Sequence, residues 1–148
     1  YGEVDELNAC LGLVLCTAVD PDLVEMVVQI QHQLFSLGAS LADPTSSAAA
    51  RAKESIGQAD VERLEGWIDR LEAELAPLRR FILPGGHPAA AAAQLARAVC
   101  RRAERRMVAV GAEAVGAVAL AYVNRLSDLL FTLARAVNVR AGVREQEW

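Results

Sequence analysis

An all-α fold, an antiparallel five-helix bundle of ferritin-like shape, is the architecture this sequence predicts, and three observations predict it. Apolar residues recur at steps of three and four along most of the chain, the period of an amphipathic helix. Alanine, leucine, valine, arginine and glutamate dominate, and aromatics make up only 5%, a composition for helices rather than sheet. No run of β-branched residues is framed by hairpin turns. The 148 residues suit a single domain, 1–148, long enough to bury a core without disulfides or a structural metal.

The first helix carries the stripe Val4, Leu7, Leu11 and Val14. A second starts after Asp20-Pro21 and continues the spacing through Val27, Ile30, Leu34, Leu37 and Leu41, until Asp43-Pro44 ends it. The stretch TSSAAARAKESIGQ, residues 45–58, loses the periodicity and reads as a mobile surface connection. Asp60 can then cap a third helix with the stripe Val61, Leu64, Ile68, Leu71 and Leu75. FILPGGH interrupts the pattern. The fourth helix starts near Pro88, a residue suited to a first turn, and runs to about Val110; the fifth covers Glu113 to Val137. Short links between amphipathic helices force neighbours to run in opposite directions.

A net charge of −4 argues against nonspecific nucleic-acid binding, so any anion site must be a local arrangement of arginines. Cys10, Cys16 and Cys100 form no CxxC pair and no even-numbered framework, which points to a reduced protein of the cytoplasm. The longest nearly uncharged apolar stretch, Ala114 to Val123, is too short to span a bilayer, and no membrane partner is expected.

The chemistry is written on the last two helices. In QLARAVCRRAERRMVAV, a wheel advancing about 100° per residue gathers Leu95, Val99, Ala103, Met107 and Val110 as the core face. Arg97, Arg101 and Glu104 fall in a narrow sector opposite, and Arg102 and Arg106 flank the apolar stripe. Such a face can be a solvated strip with helical pairs such as Arg101 and Glu104. On the fifth helix Asn124, Asp128 and Arg135 share one face with Phe131 and Asn138 beside it, while Tyr122, Leu126, Leu129, Leu130, Leu133 and Val137 form the apolar face. Guanidinium forks suit phosphate oxygens and an amide suits a nucleotide edge. Two such strips describe a polyphosphate site or a polar protein interface equally well. Phe81 reads as a residue that staples a loop, His87 as a cap, His32 as helix packing or surface, and Cys100 as a small apolar filler.

The segments YGEVDELN, FILPGG, ARAVCRRAERR, YVNRLSDLLFTLAR and EQEW, in this order and spacing, resemble the PduO-type ATP:cob(I)alamin adenosyltransferases over essentially the whole chain. The resemblance implies a homotrimer of five-helix bundles with active sites between subunits. It implies transfer of the 5′-deoxyadenosyl group of ATP to cob(I)alamin with release of triphosphate, and the use of Mg²⁺ and K⁺. Carried onto this sequence, it implies ATP binding by Arg101, Arg102, Glu104, Arg105 and Asn124, with Arg101 and Phe81 catalytic. Phe81 would lie against the lower face of the corrin and exclude an axial ligand, and Asp5 would pair with Arg97 of a neighbouring subunit. A cobalamin reductase and an adenosylcobalamin-dependent enzyme are the further partners it implies. The family's TGDxGxT stretch and a downstream lysine, which enclose the ATP phosphates, do not occur in these residues. A noncatalytic carrier that holds cobalamin for a dependent enzyme is the alternative on the same residues.

Overall fold

The computed structural model describes residues 1–18, 20–42 and 56–148. Helices α1 (Gly2–Leu15), α2 (Pro21–Ala42), α3 (Gln58–Glu72), α4 (Pro88–Val110), the single turn α5 (Ala112–Val115) and α6 (Ala117–Arg140) follow in order. α4 is flanked by α1 and α6; α6 also packs on α3, and α1 on α2. The stripes Val4, Leu7, Leu11, Val14 and Val27, Ile30, Leu34, Leu37 are buried, as are Val61, Leu64 and Leu71. The apolar face expected on the last helix, from Tyr122 to Val137, is buried throughout. By length and composition α6 could cross a membrane, yet its leucines face α3 and α4 inside the bundle.

Four expectations change in detail. Leu95 and Val110 are exposed; Val99, Ala103 and Met107 are buried as expected, and the buried face of α4 continues through Ala89, Ala93, Ala96 and Cys100. Alanines let α4 approach its neighbours closely, so side-chain size misleads about which face is inside. The last helix does not run unbroken from Glu113: Gly111 and Gly116, at φ +102° and +93°, isolate the turn α5 before α6 begins. Asp60 caps α3 from its third position, where Oδ2 accepts the Gly57 N–H at 2.8 Å, so the helix starts at Gln58. The surface connection expected over residues 45–58 lies outside the described residues as far as residue 55; at its end Ile56 is buried and Gln58 already belongs to α3.

One end of the bundle is tied by Arg140. Its guanidinium donates to Asp22 at 2.8 and 3.1 Å and to Glu74 at 2.9 and 2.7 Å, joining the ends of α6, α2 and α3. The hydrogen bonds from Arg140 hold both carboxyls below their ordinary range. The origin of the long connection between α3 and α4, residues 73–87, is thereby fixed to two other helices.

Candidate active site between α4, α6 and the 73–87 connection

α4 sends its arginines in two directions. Arg102 turns toward α1, where it donates to Glu3 at 2.5 Å and to Glu6, and Arg106 stands 3.9 Å from Glu3. The hydrogen bond from Arg102 lowers the Glu3 carboxyl below its ordinary value. Arg97 and Arg101 project from the other side, and neither has a carboxylate ion-pair partner among the described residues. Arg97 donates from Nε to Gln94 at 2.8 Å, and its guanidinium carbon lies 5.9 Å from the centre of the Phe131 ring. That cation–π distance fixes the side chain along the groove.

Phe131 is where three adjoining hollows meet. One of about 320 Å³ is lined by Arg97, Arg101, Arg125, Asp128 and Glu72; one of about 600 Å³ by Leu78, Arg79, Arg80, Phe81, Ile82 and Arg97; and one of about 360 Å³ by Glu72, Leu75, Pro77 and Arg135. The groove therefore has an arginine end and an aromatic end, with Arg97 common to both. Arg79, Arg80, Arg97 and Arg101 thus line a groove in a chain that is acidic overall, with the carboxylates Glu72 and Asp128 at its arginine end.

Phe81 stands 81% exposed at the aromatic end. Its segment is paired with the chain's last residues: the Leu83 N–H donates to the Gln146 carbonyl at 2.8 Å, and the Trp148 N–H to the Phe81 carbonyl at 2.9 Å. FILPGG and EQEW, distant in sequence, are thus one local structure.

Of the residues expected to bind ATP, Glu104 and Asn124 meet directly, the amide donating at 2.7 Å across α4 and α6. Arg101 lines the groove, Arg105 is exposed, and Arg102 is engaged on the α1 side, away from Arg101. Asp5 is exposed in a separate hollow of about 300 Å³ with Tyr1, Asn8 and Phe35, and it does not meet Arg97 within the chain. His87 caps α4 as expected, its Nδ1 accepting the Ala89 N–H at 3.2 Å, and His32 is exposed. The thiol of Cys100 donates to the Val123 carbonyl at 3.3 Å, and burial pushes it up to about 12. Sequence reasoning set Phe131 beside the polar strip of the last helix without giving it a role, and it gave Arg79 and Arg80 no place in the site. An aromatic ring on the polar strip of α6 was the available signal for Phe131; an irregular connection offers no periodicity by which to orient Arg79 and Arg80.

Comparison with known proteins identifies the family. The family described as cobalamin adenosyltransferase matches residues 1–137. A cobalamin adenosyltransferase of Cupriavidus metallidurans is 43% identical over 99% of this chain and 77% of its own length, and a corrinoid adenosyltransferase of Bacillus subtilis is 40% identical over 100% and 77%. Among solved structures, a variant PduO-type ATP:corrinoid adenosyltransferase from Lactobacillus reuteri, complexed with cobalamin and ATP, superposes with a TM-score of 0.88 at 34% identity, covering 100% of this chain and 83% of that one. The chain belongs to the cobalamin adenosyltransferase family.

Proposed function

We propose that the groove between α4, α6 and the 73–87 connection brings ATP and a corrinoid together, with the open arginines toward the polyphosphate and Phe81 toward the corrin. The reaction is transfer of the 5′-deoxyadenosyl group of ATP to cob(I)alamin, giving adenosylcobalamin and triphosphate. Family membership assigns that reaction. One geometric observation supports its location: Arg97, Arg101 and Phe131 line a hollow that adjoins the one lined by Phe81.

Reduced cobalt is itself the nucleophile toward the ribose 5′ carbon, so the chain has no need of an activated serine or cysteine. A buried Cys100 thiol pushed up to about 12 is consistent with that division of labour. The chain's tasks are to align two substrates and to hold a highly anionic leaving group. Arg101, with Arg105 one turn on and the Asn124–Glu104 pair beside them, offers donors for the nucleotide. Donors fixed before reaction stabilise developing charge without reorganisation, and alignment removes much of the entropy cost. Phe81 supplies bulk without a donor atom, which would keep an axial ligand off the lower cobalt face and ease reduction of cob(II)alamin. Arg102 belongs to the same motif, and its place in ATP binding would require exchange of its Glu3 and Glu6 partners.

Among the described residues no group of three His, Cys, Asp or Glu side chains could hold a metal ion. The described residues thus offer no preformed three-ligand cage for a metal. Mg²⁺ enters the proposal with ATP, as part of the substrate, and K⁺ is assigned no ligands.

The proposal extends to a homotrimer with sites between subunits. Its support is a pair of unanswered charges: Asp5 and Arg97 have no ion-pair partner among the described residues, and Asp5 lies beside Tyr1 and the 75% exposed Phe35. Exposed aromatics around a lone carboxylate suit a subunit contact. A cytoplasmic location accords with three unpaired cysteines, and a reductase that makes cob(I)alamin and an enzyme that consumes adenosylcobalamin complete the set of partners. The test is the absorbance change from cob(I)alamin to adenosylcobalamin in the full-length protein, expected only with ATP. Calorimetry that finds cobalamin binding and no ATP binding would instead identify a carrier.

A further inference from the structure

We propose that Arg135 and Asn138, one turn apart on α6, are positioning residues that set where the Phe81 ring stands in the groove. The inference rests on the reading of Phe81 as the shield of the lower corrin face. A side chain that is 81% exposed gains little hold from packing, so the path of its backbone decides where the ring points. That backbone is held at three places, and each leads back to these two residues.

At the start of the segment, Arg135 Nη2 donates to the Ala76 carbonyl at 2.9 Å. In the middle, Phe81 and Leu83 are bonded to Trp148 and Gln146, and that tail is latched by Arg135 Nε, 3.2 Å from each Glu145 carboxylate oxygen. At the end, the Asn138 amide accepts the His87 N–H at 2.9 Å and donates to the Gly85 carbonyl at 3.0 Å. The amide reaches that far because Gly86 has no side chain: a Cβ there would lie 2.3 Å from Asn138 Oδ1, at a φ of +100°.

Arg135 and Asn138 are 9% and 5% exposed, which makes them costly on a helix whose other buried residues are mostly apolar. A residue that served the bundle would bond to another helix. Every side-chain hydrogen bond recorded for these two goes to the 73–87 connection or the tail, so removing them unties the segment that carries Phe81 without breaking a side-chain hydrogen bond to another helix.

The experiment compares turnover from cob(II)alamin plus a reductant with turnover from prereduced cob(I)alamin, in full-length protein carrying Phe81→Ala, Asn138→Ala, Arg135→Met or Glu145→Gln. The spectrum of bound cob(II)alamin reports axial ligation directly. We expect Asn138→Ala and Arg135→Met to lose roughly 3–10-fold more from cob(II)alamin than from cob(I)alamin, in the same direction as Phe81→Ala, with the KM for ATP nearly unchanged. Glu145→Gln lies outside the helical core and decides the matter where an α6 variant fails to fold. A split for Phe81→Ala alone, with equal losses in both assays for the others, overturns the positioning role. No split for Phe81→Ala overturns the shield reading itself, and the inference with it.

Discussion

The two arginine faces of α4 share a helix, a residue type and nearly a register, yet their surroundings are opposite. Toward α1, Arg102 meets two glutamates and Arg106 approaches one of them. Toward the groove, Arg97 has an amide and an aromatic ring, and Arg101 has a neighbouring arginine, Arg125, itself paired with Glu65 and Asp128. A guanidinium answered by carboxylates holds a fold together. One that shares a hollow with Glu72 and Asp128 but is in ion-pair contact with neither keeps its charge for an anion, and that difference, rather than the count of arginines, marks the site.

The largest effect is expected at Arg101. Arg101→Ala should lower kcat/KM by roughly 5–150-fold, the kinetic equivalent of a lost charge-assisted hydrogen bond of about 1–3 kcal/mol, whichever cobalt state is supplied. Thermal stability should hold. Steady-state kinetics beside a melting curve decides it: an unaltered kcat/KM would make Arg101 as structural as Arg102.

A smaller effect is expected at Arg97, whose proposed partner is Asp5 of a neighbouring subunit. Asp5→Arg and Arg97→Asp should each weaken assembly, and the double reversal should recover part of the loss, a coupling of roughly 0.5–3 kcal/mol for residues in contact. Sedimentation at several concentrations measures it. Strict additivity would reject the pairing.

How far these faces could be read from sequence depended on what periodicity records. A wheel separates Arg97, Arg101 and Glu104 from Arg102 and Arg106, and the structure keeps that separation. The bond between Glu104 and Asn124 follows from two polar strips on neighbouring helices. Periodicity weights large residues, so it put Leu95 inside and undervalued the alanines along which α4 packs. It also says nothing of irregular segments. That FILPGG pairs with EQEW, and that Arg135 and Asn138 bond to the connection and the tail rather than to a helix, depends on contacts between residues 10 to 67 positions apart that no local pattern encodes.

The smallest effect is expected on the α1 side, and it has a sign that pH can read. The Arg102 hydrogen bond depresses the Glu3 carboxyl in the folded chain below its ordinary 4.5. As pH falls, the unfolded chain takes up the proton first, so the stabilisation is present above 4.5 and is lost as pH descends through the depressed value. Both groups are well solvated, so the effect should be slight and should shrink further in salt. Arg102→Gln should therefore lower the urea midpoint slightly at neutral pH and leave adenosyl transfer largely intact. Its difference from the unmodified chain should close as pH is taken below 4.5. A difference that stays constant through acid would mean that Arg102 contributes packing of its aliphatic stem on α1 rather than charge. A large loss of transfer at neutral pH would place Arg102 with Arg101 at the nucleotide and erase the distinction between the two faces.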